Sequence, residues 1–250
     1  MIFRVFKLTL LSALVLLTPL AVAGEPVDKA VLDKLSAKLQ VPAMGLTVES
    51  VSTSELPGLY EVQFANGGPL VYATESGDYF LLGDLFAVGA EGYVNLAEKR
   101  RDGERKEKLD AISEDDMIVF SPEGEPRAYI SVFTDVTCFY CQKLHREVPE
   151  LNKRGVEVRY LAYPRAGVDS DGYRQLAGAW CADNPQETLT KLKAKESVTA
   201  SPCDDNPIAA QYQLGQELGV RGTPAIVTQS GQMIPGYQSA DELMVTLGLE

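Results

Sequence analysis

The stretch AYISVFTDVTCFYCQKLHREVPELNKRGVEVRYLAYP, residues 128–164, leaves this chain few ways to fold. An apolar, β-branched run up to Asp135 reads as a buried strand. CQKLHREVPELN then carries Leu144, Val148 and Leu151 at helical spacing, and VEVRYLAYP reads as a second strand. Strand, helix and strand at that spacing make a βαβ unit with a parallel pair. Pro149 lies inside the helical stretch, where it lacks an N–H and crowds the preceding turn, so the helix is expected to kink or shorten there.

At the junction between the first strand and the helix stand Cys138 and Cys141, two of only four cysteines in the chain. A sulfur at a helix start faces unpaired backbone N–H groups and the positive end of the helix dipole, and both favour a thiolate. Cys138 is then fitted to attack a disulfide, and Cys141, one turn on, to resolve the mixed disulfide that results. Half of a zinc site has the same spacing, and a purely structural bridge is also conceivable. Zinc asks for four ligands, however, and the other candidates, Cys181, Cys203 and His145, form no second CxxC. No metal and no cofactor is expected. His145 reads as a packing residue of the helix, and Asp135 as a turn or capping residue rather than a proton acceptor for Cys141.

The redox setting follows from the first residues. MIFRVFK supplies Arg4 and Lys7, LTLLSALVLLTPL is apolar, and Ala21 and Ala23 are small, the order found in a cleavable export signal over residues 1–23. The apolar stretch is short for a bilayer span, so no stable membrane insertion is expected once the signal is gone. The whole chain has 23 basic and 35 acidic residues; without Arg4 and Lys7, 21 basic residues remain and the formal charge is −14. Such a surface repels phosphate backbones, which argues against a nucleic-acid partner. An exported chain can keep disulfides, and a short Lys/Arg-led signal suits a bacterial periplasm.

Residues 24–90 read as a small α+β unit: a helix in DKAVLDKLSAKL, then strands in MGLTVESVS, LYEVQFA, PLVYATES and YFLLGDLFAVG. So small a core is expected to gain stability by pairing with a copy of itself. Residues 91–116 contain EKRRDGERKEKLDAISEDD, mixed in charge and poor in apolar residues, and read as a solvated helix or linker. The second domain, 117–250, carries the βαβ unit and a polar, helical insertion at about 165–206. A helix in PIAAQYQLGQELGV follows, then two short strands in AIVTQSGQMIPGY, then a closing helix whose Ser239 and Glu242 form a capping box.

GVRGTPAIV, residues 219–227, places Thr-Pro before an apolar strand and points to a cis proline at Pro224. Together with the CxxC, this makes residues 129–249 resemble a thioredoxin-fold oxidoreductase. FTDVTCFYCQKLH, RYLAYPRAGVDSDG, AWCADN, GVRGTPAIV and PGYQSADEL resemble the DsbC family of periplasmic disulfide isomerases over essentially the whole chain after the signal. That resemblance implies an α+β, two-domain protein: a small cystatin-like N-terminal domain that forms a homodimer, a helical linker and a thioredoxin-like domain with a helical insertion. It implies Cys138 as nucleophile, Cys141 as resolving thiol, and Thr223, Pro224, Phe139 and Tyr140 as the substrate-binding surface. It also implies a structural disulfide between Cys181 and Cys203, which would stabilise by roughly 3 kcal/mol in the chain-entropy account. Its expected partners are misfolded exported proteins bearing disulfides and a DsbD-like membrane thiol reductase. Two positions depart from the family: Phe139 replaces the usual Gly and Gln142 a frequent His, so the reduction potential does not carry over. The competing readings are a DsbG-like reductase of oxidised single cysteines and a holdase chaperone with secondary redox activity.

Overall fold

The computed structural model describes residues 24–66, 68–89, 92–199 and 201–250, so the export signal expected at 1–23 lies outside the described residues. The chain divides into two compact units, one ending at Leu82 and one spanning Gly83–Glu250.

In the first unit, helix α1 (Lys29–Leu39) starts where the Asp28 carboxylate accepts from the Val31 N–H and satisfies a first-turn donor. It lies over an antiparallel meander of β1 (Val48–Thr53), β2 (Leu59–Phe64), β3 (Leu70–Thr74) and β4 (Phe80–Leu82). Leu35 of the helix and Val51, Val62, Phe64, Val71 and Ala73 of the strands form the core, with Val31, Leu32 and Leu39 packed at its margin. All three residues of β4, the outer strand, are exposed. The run YFLLGDLFAVG, expected as one strand, is in fact two: Gly83, at φ +152°, interrupts it, and its second half becomes β5.

The second unit opens with the hairpin β5 (Phe86–Gly89) and β6 (Gly92–Asn95) and continues into helix α2 (Leu96–Asp110), capped by Asn95. α2 is not the freely solvated helix its composition indicates. Ala97, Arg105 and Leu109 are buried, and the Arg105 guanidinium donates to Glu98 at 2.7 Å, to Asp102 at 2.9 Å and to the Leu218 carbonyl at 3.3 Å. Lys108 pairs with Glu217, and Asp110 accepts from the Tyr129 hydroxyl. These anchors come from three charged residues and one leucine, so a hydrophobic period could not reveal them.

Behind α2 lies a five-stranded sheet in the order β11 (Met233–Pro235), β10 (Ala225–Thr228), β8 (Ala128–Thr134), β9 (Val156–Ala162), β7 (Ile118–Phe120). β8 and β9 are parallel, as the βαβ reading requires, and the other pairs are antiparallel. The three-residue edge strand β7 is too short to show a period and is not legible in the sequence. Between β8 and β9 the helical stretch splits into α3 (Phe139–His145) and α4 (Val148–Lys153), with Pro149 in the first turn of α4, where a missing N–H costs nothing. The insertion folds as α5 (Asp171–Trp180) and α6 (Pro185–Lys193), capped by Ser170 and Asn184, and Cys181 is disulfide-bonded to Cys203. α7 (Ile208–Glu217) and α8 (Ala240–Thr246) complete the unit; α8 begins with the Ser239–Glu242 capping box. Leu176, Ala177 and Leu189 of the insertion share one core with Ile130, Val132, Val158 and Tyr160 of the central strands.

Candidate active site

β8 ends at Thr134 and the chain must turn at once into α3. Asp135 makes the turn: one carboxylate oxygen accepts from the Thr137 N–H and hydroxyl, both at 2.7 Å, and its carbonyl accepts from the Cys138 N–H at 3.2 Å. The other carboxylate oxygen accepts from the Arg165 N–H and Nε. Those bonds hold the carboxyl below the usual aspartate range although burial pulls the other way, which is a structural assignment rather than a proton-transfer one.

The turn leaves Cys138 at the N-cap of α3, in extended backbone conformation, with a sulfur where a capping oxygen usually sits. Its thiol is lowered from 9.0 to about 5. The Cys141 thiol, which donates to it, contributes most; burial opposes; the Thr223 hydroxyl, the Cys141 backbone N–H and the Arg165 charge add to the lowering. Cys141 moves the opposite way, because burial and its bond to Cys138 both favour its proton. The two sulfurs therefore have separate characters, one an anion at neutral pH and one a buried donor.

Thr223–Pro224 is a cis peptide, and the Cys138 sulfur lies 3.1 Å from the Thr223 carbonyl oxygen, so segments 85 residues apart in sequence meet at the dithiol. The Thr223 hydroxyl is buried with no oxygen or nitrogen partner, and it favours ionisation of both sulfurs. A groove of about 500 Å³ is lined by Thr223 and Pro224 together with Glu98 and Arg105 of α2 and Met233 and Pro235 of β11. Phe139 and Tyr140 are 61% and 55% exposed while Cys138 is 3% exposed, so two rings stand proud of a recessed sulfur. Tyr140 also stacks on Tyr237 at 6.5 Å, and the Lys143 ammonium sits 4.0 Å above the Tyr237 ring.

The structure thus gathers Cys138, Cys141, Phe139, Tyr140, Thr223 and Pro224 at one place, and it sets Cys181 and Cys203 apart in the insertion. His145 is buried: Thr190 gives its hydroxyl proton to the Gln186 carbonyl, so it accepts from His145 Nε2–H at 3.0 Å, leaving Nδ1 to accept from the Tyr160 hydroxyl at 3.0 Å. Burial lowers its pKa to about 4, so it is a neutral packing residue.

Two residues of the site escape the sequence reading. Tyr237 carries no local signal. Lys193 is 3% exposed, and its ammonium donates to the Thr134 hydroxyl at 2.5 Å and to the Asp135 carbonyl at 3.1 Å, directly behind the dithiol. The signal that could have found Lys193 is its spacing of four from Leu189, which puts both on the inward face of α6.

Comparison with known proteins also finds two domains, with the N-terminal match running past Leu82 through the β5–β6 hairpin into the start of α2. Residues 22–98 match the disulfide bond isomerase protein N-terminal domain, and residues 113–248 match the thioredoxin-like domain. The chain is 37% identical over 215 residues to the thiol:disulfide interchange protein DsbC of Dickeya dadantii, covering 86% of this chain and 87% of that one. It is 36% identical over 216 residues to the protein of that name from Escherichia coli K12, covering 86% of each. Among solved structures, the catalytic domain of Proteus mirabilis ScsC superimposes with a TM-score of 0.51 over 60% of this chain and 96% of that one; at 16% identity this is a likeness of fold alone.

Proposed function

The chain belongs to the DsbC family of thiol:disulfide interchange proteins, and from that premise we propose that Cys138 and Cys141 are its reacting pair and that it isomerises wrong disulfides in exported proteins. The observation that carries the reading is the pairing of a lowered Cys138 thiol with a raised Cys141 thiol beside Thr223. The Cys138 thiolate attacks one sulfur of a client disulfide; that S–S bond breaks, a Cys138–client bond forms, and the other client sulfur leaves as a thiolate. A client thiolate then attacks the client sulfur held on Cys138, expelling the Cys138 thiolate, so that the disulfide has moved with no net electron transfer. When no client thiolate arrives, Cys141 attacks the Cys138 sulfur and frees the client reduced, and the enzyme's own disulfide must be reduced again.

That last branch calls for a thiol reductase, which we assign to a DsbD-like membrane protein. We place the chain in the periplasm, with residues 1–23 as its signal, residues 24–90 as the homodimerisation domain, 91–116 as linker and 117–250 as the catalytic domain. Thr223 and Pro224 offer backbone to an extended client, and Phe139 and Tyr140 offer apolar surface to it. The exposed rings of Phe139 and Tyr140 and the exposed strand β4 favour chaperone-like holding of unfolded clients as a second activity of the same molecule. Cys138→Ser tests the reading. Recovery of activity from a scrambled-disulfide substrate is expected to fall to the uncatalysed rate while suppression of aggregation survives, and retained isomerisation would overturn it.

A further inference from the structure

A lysine ammonium buried without an anion is costly, because moving such a cation out of water carries a penalty of several kcal/mol. The two hydrogen-bond partners of the Lys193 ammonium, the Thr134 hydroxyl and the Asp135 carbonyl, are neutral oxygens, and among the described residues it has no carboxylate within ion-pair distance. The Asp135 carboxylate is turned to Arg165 and Thr137. The other ionisable groups that face the amine from α3 and β9 do not compensate it: His145 is neutral, and burial keeps the Tyr160 hydroxyl protonated. What remains is the dithiol: the Asp135 carbonyl that accepts from the ammonium at 3.1 Å also accepts from the Cys138 N–H at 3.2 Å, and the charges of Lys193 and Cys141 act on each other. Burial lowers the Lys193 amine to about 8, with the Cys141, Asp135 and Cys138 charges opposing, so it is still mainly an ammonium at neutral pH. Asp135 then contributes one negative charge, and Arg165 and Lys193 one positive charge each, so the cluster is neutral with a single thiolate present and carries an excess positive charge once the sulfurs are joined.

We propose that Lys193 is a positioning residue whose buried ammonium is the counter-charge of the reduced Cys138–Cys141 pair, so that its presence favours the dithiol over the disulfide. The proposal rests on Cys138 and Cys141 being the reacting pair. The Cys138 thiolate is spent when the mixed disulfide forms: its bond to one client sulfur replaces the client S–S bond, and the other client sulfur leaves as a thiolate. Cys141 then loses its proton and attacks the Cys138 sulfur, so one S–S bond forms within the enzyme, the bond to the client breaks and the second client sulfur leaves. Over the two steps the dithiol gives up two electrons, which the client sulfurs take. The thiolate that matched Lys193 is then gone, and the ammonium keeps only neutral hydrogen-bond partners and the charge of Asp135, which is shared with Arg165. Closing the pair is therefore disfavoured, and the protein is held in the form that starts isomerisation.

The test uses the full chain and two variants: Lys193→Met, which removes both charge and hydrogen bonds, and Lys193→Gln, which keeps a donor toward Thr134 and Asp135. Each protein is equilibrated in glutathione buffers at neutral pH, and the ionisation of Cys138 is followed by thiolate absorbance. Both variants are expected to shift the equilibrium about tenfold toward the disulfide, a potential about 30 mV lower, with the Cys138 midpoint moved upward. The disulfide form should gain stability relative to the dithiol form, whereas a packing role would change both alike. Equal potentials and midpoints in wild type and folded Lys193→Gln would overturn the proposal, and that variant decides if Lys193→Met does not fold. A wild-type protein that shows no dithiol–disulfide equilibrium would instead overturn the reacting-pair assignment.

Discussion

Cys138 and Cys141 share a helix and lie three positions apart, yet their surroundings push them in opposite directions. Cys138 receives N–H and thiol donors at the start of α3, while Cys141 lies one turn deeper, where burial favours the proton. The CxxC spacing and its place between a strand and a helix are visible in the sequence, so the division of labour between the sulfurs is legible there. The depth of Lys193 and the stacking of Tyr237 are not, because each depends on where a distant element lands. A pH dependence follows for Cys138, whose folded value of about 5 lies below its ordinary value of 9.0. Alkylation of the reduced protein is expected to be nearly constant from pH 9 to pH 6 and to fall about tenfold per unit below pH 5. The depressed value also stabilises the reduced fold. That contribution is fully present above pH 9.0 and is lost as pH falls through about 5, since the unfolded chain binds the proton throughout that window. Denaturant titrations of the reduced protein should show stability rising with pH across it, and a flat profile would contradict the assignment.

At the level of elements, α2 is the instructive case. Its sequence is almost wholly charged, and composition alone points to a helix surrounded by water. The structure instead seats one side of it with Arg105, Lys108, Leu109 and Asp110. Gly231, in the turn between β10 and β11, has φ +89°, and its backbone runs so close to α2 that a Cβ there would overlap the Asp102 carbonyl. Gly231→Ala is therefore expected to cost roughly 1–3 kcal/mol and to free α2, measured as a lower denaturation midpoint and faster proteolysis within 96–110. An unchanged midpoint would mean that α2 is not held there. The capping box of α8, the break at Pro149 and the parallel β8–β9 pair all follow from local chemistry, and all were readable in advance. β7, and the division of YFLLGDLFAVG into β4 and β5, were not, because segments of three or four residues carry too little period to be told from loops.

For the whole molecule, one surface among the described residues that invites a partner is the apolar edge of the first unit, where Phe80, Leu81 and Leu82 of β4 are all exposed. An exposed edge strand with three apolar side chains invites pairing with a second strand. Replacing both Phe80 and Leu82 by Asp is expected to turn the proposed dimer into a monomer in sedimentation. Reaction with a small disulfide should stay within about twofold, and isomerisation of a scrambled protein should fall at least tenfold. A doubly substituted protein that remains dimeric would rule out this edge as the interface. By itself the sequence determined the two-unit α+β plan, the βαβ unit, the place of the CxxC pair at a helix start and the Thr-Pro motif, because each rests on contacts between near neighbours or on residue types with a narrow conformational range. Only the tertiary structure decided that Thr223 sits against a sulfur 85 positions away, that α2 is seated rather than solvated, and that Lys193 lies buried behind the dithiol. Those outcomes depend on long-range packing and on the charge left uncompensated in a dry interior, and neither leaves a periodic mark along the chain.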